Sequence, residues 1–124
     1  MKDNRLLRVA IHGFGRIGRT LLRAVQHFPN IEVVVISDLF DSDTMLHLSK
    51  YDSVHGVWTD IALMDHSIWS IHKREVQYYQ KENSHDIPRW SQWNIDVVVD
   101  ATGVLKSRSE LIGHLNQGVK KVLL

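Results

Sequence analysis

Apolar runs and a helical repeat alternate over the first 38 residues of the chain. Leu6–Ile11 is apolar except for one arginine and predicts a short strand, and the β-branched run Ile31–Ile36 predicts a second strand. Between them, apolar side chains recur at steps of three and four residues, which indicates an amphipathic helix. These positions are Ile17, Leu21, Val25 and Phe28. The pattern therefore predicts one βαβ unit, and Asp38 lies at the end of its second strand.

The remaining residues continue the alternation of helices and strands. Asp41–Thr44 has the composition of a helix cap, and Val57–Gln80 holds apolar runs between turn-like pairs, which predicts two or three short antiparallel strands. Ile95–Asp100 predicts another buried strand. A capping box that begins at Ser107 precedes a helix, and Val119–Leu124 begins a last strand. The order predicts one α/β domain of the doubly wound Rossmann type, with a mainly parallel sheet and a small antiparallel insertion.

A glycine motif with a defined spacing lies where the first strand meets the first helix. Gly13, Gly15 and Gly18 form Gly-x-Gly-x-x-Gly, and Asp38 follows Gly18 by about 20 residues. Gly13 allows a sharp turn, Gly15 lets a pyrophosphate approach the backbone, and Gly18 lets the helix pack closely on the strand. The helix N-terminus favours phosphate, and Asp38 can accept hydrogen bonds from ribose hydroxyls. Because Asp38 would repel a 2′-phosphate, the motif predicts binding of NAD rather than NADP.

Composition narrows the class of protein. The 124 residues are 44% hydrophobic and 23% charged, with 15 basic and 14 acidic residues, which is ordinary for one globular domain. We expect no nucleic-acid partner because no basic stripe is present, and no membrane span because no apolar run is long enough. The absence of cysteine excludes disulfides and a thiol nucleophile within this chain. Without a signal peptide, the expected location is the cytoplasm.

Two side-chain groups invite other functions. The eight histidines are scattered and lack metal-ligand spacing, so we expect no metal site. We expect a structural role for His55 and a packing or surface role for His114. The tryptophans and tyrosines could form a stacking platform for single-stranded nucleic acid, but without a basic patch they are expected to pack in the core. Arg23, which follows Arg16 and Arg19 along one helix, is expected on a solvated face.

Four segments resemble the phosphorylating glyceraldehyde-3-phosphate dehydrogenase family. Ile11–Arg19 resembles the opening signature of the family, and Tyr51–Gly56 resembles its Tyr-Asp-Ser-x-His-Gly loop. Asp100–Val104 is similar to a Glu-x-Thr-Gly-Val segment, and His114–Val122 is similar to the helix and strand that follow it. The motifs keep the family's order and cover nearly the whole chain. The resemblance identifies residues 1–124 as an NAD-binding domain and implies an enzyme of glycolysis.

The resemblance also implies a role for individual positions. The backbones of Arg16 and Ile17 would contact the pyrophosphate, and the Ile17 side chain would pack on the nicotinamide. Asp38 would bind the adenosine ribose. Further contacts with the cofactor would come from Leu39, Thr102 and Gly103. The family usually has asparagine where this chain has His12 and Ser37, and cysteine or serine where it has Ala101.

The family's reaction requires residues that this chain does not have. A thiolate attacks the aldehyde, and hydride then passes to the nicotinamide. In the family, the catalytic cysteine and its general base follow the segments matched here. We therefore expect the chain to be a fragment that lacks its catalytic domain and forms a homo-oligomer.

The substrate and the role of the chain stay open at this point. The parent enzyme would oxidise glyceraldehyde 3-phosphate or erythrose 4-phosphate. Met45–Asp52 and Lys106–Arg108 favour the erythrose-4-phosphate branch, whereas Asp38-Leu39 favours the other. A non-enzymatic or degenerate stand-alone NAD-binding module is the first alternative. A nucleic-acid binder of the same fold is the second.

Overall fold

A seven-stranded sheet organises the computed structural model, which describes residues 6–52, 56–83, 85–103 and 108–123. The strand order is β5-β6-β7-β2-β1-β8-β9. The strands are β1 Leu7–His12, β2 Ile31–Asp38, β3 Tyr51–Asp52, β4 Gly56–Val57, β5 Ile61–Asp65, β6 Ile68–Ile71, β7 Arg74–Gln80, β8 Val97–Asp100 and β9 Lys121–Leu123. The helices are α1 Arg16–Val25, α2 Ser42–Lys50 and α3 Arg108–Asn116, and a 3₁₀ turn spans Trp90–Trp93. The short strands β3 and β4 form a separate antiparallel pair.

The five strands β7, β2, β1, β8 and β9 are mutually parallel, and β5 and β6 extend one edge in antiparallel fashion. The predicted mixed α/β class with a mainly parallel sheet is confirmed. The predicted short antiparallel strands are present as β5, β6 and β7, and the last of them, β7, also pairs in parallel with β2. The insertion therefore continues the main sheet instead of forming a layer of its own.

The core lies on both faces of the sheet because successive side chains of a buried parallel strand point to opposite faces. On one face, Ile11 of β1 and Ile36 of β2 belong to a cluster with Leu22 of α1 and Trp69 of β6. On the other face, Ala10 and Val98 belong to a cluster that surrounds Trp90. Trp69 and Trp90 are fully buried, so the sheet is covered by side chains from both directions.

Two helix features follow from local sequence. Asp41 caps α2, because its carboxylate accepts a hydrogen bond from the backbone N–H of Thr44 at 2.7 Å, and this contact lowers the pKa of Asp41. The expectation of a solvated Arg23 is wrong. Its guanidinium donates to the carbonyl oxygens of Ser49 and Gly56 and lies 5.0 Å from the Trp58 ring centre. Arg23 thus ties α1 to the segment after α2.

Parallel pairing brings the carboxyl ends of four strands to one edge of the sheet. His12 at the end of β1 pairs with Ser37 of β2 on one side and with Asp100 of β8 on the other. Asp38 in turn pairs with Gln80 at the end of β7. The chain leaves β1 toward β2 and later leaves β8 toward β9, so the crevice between β1 and β8 is the point where the strand order reverses. Open α/β sheets bind ligands at this point.

Some predicted features lie outside the described residues. These are His55 in the Tyr51–Gly56 loop, Val104 of the Thr-Gly-Val segment, and Ser107, which begins the predicted capping box. The helix that follows is described from Arg108 onward. Gly118 follows that helix and adopts φ +94°, a left-handed conformation in which helices commonly end at glycine.

Candidate functional site

A tight turn joins β1 to α1 and presses against the segment that follows β8. Gly13 adopts φ +94°, and a Cβ at this position would lie 2.6 Å from both the Cα and the N of Thr102. A Cβ on Gly18 would lie 2.6 Å from the carbonyl oxygen of Gly13. Neither distance is compatible with a side chain. The turn therefore needs glycine at both positions for reasons of packing within the protein itself.

Gly15 has the opposite environment. No atom lies within 4 Å of the place where its Cβ would be. Gly15 is the N-cap of α1, where no side chain accepts a hydrogen bond and the first turn contains no acidic residue. A helix start of this kind presents backbone N–H groups and a partial positive charge to an anion. The next two residues, Arg16 and Ile17, are exposed, with Ile17 at 72%.

Asp38 braces this turn from the end of β2. One carboxylate oxygen accepts the backbone N–H of Phe14 at 2.6 Å, and the other accepts that of Leu39 at 2.6 Å. The N–H of Gly13 also donates to the carbonyl oxygen of Ser37 at 2.8 Å. The oxygen that accepts from Leu39 also accepts the backbone N–H of Phe40 at 3.4 Å. The oxygen that accepts from Phe14 keeps a further lone pair, with which Asp38 can accept a hydrogen bond from a ligand.

An apolar rim follows Asp38 along the chain. Leu39 is 39% exposed and Phe40 is 61% exposed, so both present apolar surface beside the polar site. The Tyr78 hydroxyl donates to the carbonyl oxygen of Phe40 at 2.5 Å and holds the rim in place. Burial, together with the negative charges of Asp38 and Asp41, raises the pKa of this hydroxyl. Tyr78 therefore stays a hydrogen-bond donor at neutral pH.

The segment after β8 forms the opposite wall of the crevice. The backbone N–H and the hydroxyl of Thr102 both donate to one oxygen of Asp100, at 3.2 and 2.9 Å. Gly103 is exposed and adopts φ +74°, a conformation that favours glycine. The two predicted positions Thr102 and Gly103 are thus brought beside the glycine turn, although some 85 residues separate them from it.

Comparisons with known proteins agree with this geometry. Residues 7–108 match the family described as "Glyceraldehyde 3-phosphate dehydrogenase, NAD binding domain". The chain belongs to this family. Similar relatives include glyceraldehyde-3-phosphate dehydrogenase of Mycoplasma pneumoniae, which is 39% identical over 124 residues, or 100% of this chain and 36% of the relative. Glyceraldehyde-3-phosphate dehydrogenase 2 of Trichormus variabilis and of Nostoc sp. are 39% and 40% identical over 123 residues, 96% of this chain and 36% of each relative.

Membership of the family shows which cofactor this fold binds, and the relatives show how much of a longer protein the chain matches. The matched domain is the NAD-binding domain, so NAD is the cofactor of the fold seen here. The chain spans about a third of the length of the curated relatives it matches. In the part of the chain that the structure describes, no helix has both the length and the apolar character needed to cross a membrane.

A buried polar network beneath the crevice was not predicted from the sequence. Lys81 is only 4% exposed, and its ammonium group lies 3.4 Å from Nε2 of His12. An ammonium can only donate, so Nε2 of His12 accepts, and its Nδ1–H then donates to the Ser37 hydroxyl at 2.8 Å. His12 and Ser37, the two positions that depart from the family's asparagines, therefore form a pair with each other.

The second part of the network holds Asp100. The indole N–H of Trp90 can only donate, so Nδ1 of His114 accepts it at 3.0 Å. His114 is then the neutral tautomer, whose Nε2–H donates to the second oxygen of Asp100 at 3.0 Å. The side chains of both His114 and Asp100 are 1% exposed. His114 is thus a buried packing residue, as expected, and it also fixes the carboxylate that anchors Thr102.

His12, Asp100 and His114 bring one possible metal-ligand atom each to within 4.8 Å of one another. Both ring nitrogens of His114 are already used, one by the Trp90 N–H and one by the Asp100 carboxylate. Nε2 of His12 faces the Lys81 ammonium, which would repel a cation. These residues therefore form a hydrogen-bond network in which each proton has a defined position. Such a network fits their contacts better than a metal site does.

Proposed function

We propose that the crevice between β1 and β8 binds NAD and that the chain is the cofactor-binding part of an enzyme that oxidises a sugar-phosphate aldehyde. The observation that carries the proposal is Gly15, which opens to solvent at an uncapped helix start while its two motif neighbours are packed against protein. In this arrangement the pyrophosphate lies over Gly15 and the backbones of Arg16 and Ile17. Gly13 and Gly18 shape the turn beneath it.

The remaining contacts follow from where each side chain lies. Asp38 binds the adenosine ribose, and Leu39 covers the adenosine. The exposed Ile17 side chain packs on the nicotinamide. Thr102 and Gly103 lie along the cofactor from the opposite wall. The support is that Asp38, Thr102 and the glycine turn lie at the carboxyl ends of the neighbouring strands β2, β8 and β1, and that Ile17 and Leu39 expose apolar surface.

The proposed reaction, pathway and cellular location are inferred from the family. The substrate in this proposal is glyceraldehyde 3-phosphate or erythrose 4-phosphate, hydride passes to NAD, and the enzyme works in glycolysis in the cytoplasm. A cysteine in further polypeptide would supply the nucleophile, because the chain contains none. Relatives about three times as long are consistent with such a catalytic domain.

Apolar surface supports the proposal of further polypeptide. A groove of about 1060 Å³ runs along the sheet face between α1 and the edge strand β9, lined by side chains such as Leu21, Val97 and Leu123. Leu7 and Leu123 are 42% and 49% exposed there. An uncovered apolar face beside an unpaired strand edge favours association. We propose that the catalytic domain covers this face and that the isolated chain forms a homo-oligomer through it.

Light scattering of the isolated chain tests the association. We expect a dimer or larger species at micromolar concentration, and Leu123→Lys should shift it toward the monomer because a charge would enter the apolar groove. Leu63→Lys is the matched control, because Leu63 is a similarly exposed leucine on β5 at the other end of the sheet. A monomer at every concentration would contradict the proposal.

Cofactor preference tests the site itself. We expect calorimetric titration to show NADP binding about 100-fold more weakly than NAD, because placing a phosphate against the Asp38 carboxylate costs several kcal/mol. ADP-ribose should bind nearly as well as NAD. In Asp38→Asn the preference should shrink to less than about tenfold. Absolute affinities should fall as well, because an amide has one acceptor oxygen whereas Asp38 accepts backbone N–H groups at both oxygens.

The ratio of the two affinities is therefore the diagnostic quantity. Asp41→Asn is the matched control, because Asp41 is an acid three residues away that caps α2 and has no proposed ribose contact. This control should keep the wild-type preference. If Asp38→Asn also keeps it, Asp38 does not recognise the ribose. If the folded wild-type chain binds none of the three ligands, the chain alone does not form the proposed site.

A further inference from the structure

We propose that Arg19 is a positioning residue that orients the Gly15 N–H toward the cofactor's pyrophosphate, an inference that rests on the proposed NAD site. Arg19 lies one helical turn after Gly15 in α1 and is only partly exposed. Its Nη1 donates to the carbonyl oxygen of Phe14 at 3.3 Å. The motif gives no role to this side chain, because its glycines and Asp38 account for the turn, the helix start and the ribose.

The orientation follows from peptide geometry. No peptide bond in the described residues is cis, so the C=O of Phe14 and the N–H of Gly15 point to opposite sides of one planar peptide. Arg19 holds the C=O on the side of α1. The Gly15 N–H consequently points away from α1. The other end of Phe14 is also held, because its own N–H donates to Asp38 at 2.6 Å. Arg19 thus restrains the Phe14–Gly15 peptide, and Asp38 restrains the peptide that precedes it.

Contacts within the described residues satisfy the Arg19 guanidinium only in part. Its Nε atom is buried and has no hydrogen-bond partner among the described residues. Within the same part of the chain, Arg19 forms no ion pair with an acidic side chain, and the first turn of α1 has none to offer. A half-buried cation without a carboxylate beside an uncapped helix start adds to the positive potential there. A diphosphate is the ligand chemistry that this combination favours.

Titration with two ligands separates this role from a general effect on folding. ADP-ribose carries the pyrophosphate and adenosine lacks it. We expect Arg19→Met to weaken ADP-ribose binding by about tenfold or more and to change adenosine binding less than twofold. Arg19→Lys, which keeps a charge and a donor, should recover part of the loss. Arg23→Met is the control, because it removes the same charge from the same helix without touching Phe14.

A measurement without ligand tests the orientation directly. We expect residual dipolar couplings of the Gly15 N–H to change in Arg19→Met and to stay unchanged in Arg23→Met. Unchanged Gly15 couplings in Arg19→Met would overturn the inference, whether or not any ligand binds. Equal losses of ADP-ribose and adenosine affinity would overturn it too, because they indicate a general structural role. If the wild type binds neither ligand while the couplings respond as expected, the orienting contact stands and the proposed NAD site fails.

Discussion

Replacing Gly13 with alanine is expected to lower the free energy of unfolding by about 3 kcal/mol or more. The added Cβ would lie 2.6 Å from the Cα and N of Thr102, both backbone atoms that cannot rotate away. Overpacking of this kind costs roughly 1 to 3 kcal/mol, and the positive φ of +94° adds roughly 1 to 2 kcal/mol for a residue with a side chain. Urea unfolding followed by the fluorescence of the buried tryptophans measures the loss.

Gly15→Ala is the matched control for this variant. It makes the same chemical change two residues away, but no atom lies within 4 Å of the new Cβ. Stability should stay within about 1 kcal/mol of wild type, the difference between glycine and alanine at a helix N-cap. NAD binding should fall sharply, because the methyl group occupies the space proposed for the pyrophosphate.

For Gly13→Ala, a free energy of unfolding equal to that of wild type would contradict the prediction. It would show that the turn and the Thr102 segment are free to move apart.

The contrast between these glycines shows what the motif could and could not predict. The spacing of Gly13, Gly15 and Gly18 predicted a turn, an open backbone and a close helix contact, because each depends on residues near in sequence. It could not identify Thr102 as the backbone against which Gly13 packs. That contact joins two loops through the pairing of β1 with β8 and depends on tertiary structure.

The buried network could not be predicted for the same reason. Lys81 meets His12 across 69 residues, and Trp90 meets His114 across 24. Taken one at a time, lysines and histidines are usually exposed, so the pattern of polar positions did not indicate that Lys81, His12 and His114 are buried together. These side chains can be buried only where each hydrogen-bond donor meets an acceptor. The sequence does not show which groups meet. The tautomers of His12 and His114 follow from those matches and from nothing local.

The position of strand β7 in the sheet could not be predicted from the sequence for a different reason. The apolar runs and turn-like pairs of Val57–Gln80 predicted short antiparallel strands, and β7 pairs in this way with β6. The second neighbour, β2, is parallel and lies on the other side. Periodicity reports which face of a strand is buried, but it carries no information about the direction of a neighbour. The attachment of the insertion to the main sheet was therefore outside the reach of the pattern.

Replacing His114 with alanine is expected to lower the free energy of unfolding by about 3 to 5 kcal/mol. The change removes the acceptor of the Trp90 N–H and a donor to the Asp100 carboxylate, both within a fully buried region. Each buried group left without its partner costs roughly 1 to 3 kcal/mol, and the lost ring leaves a cavity. Chemical unfolding of the variant and of the wild type under the same conditions measures the difference.

His85→Ala is the control that separates the effect of burial from the effect of losing a histidine–carboxylate hydrogen bond. His85 also pairs with a carboxylate, that of Glu110 at 3.1 Å, but its side chain is 70% exposed. Water can replace its contacts, so the loss should stay below about 0.5 kcal/mol. Equal losses in the two variants would mean that the Asp100 network is as well solvated as a surface pair. A large loss for His114 alone would instead show that its buried hydrogen bonds, one of them to the carboxylate that Thr102 contacts, stabilise the fold.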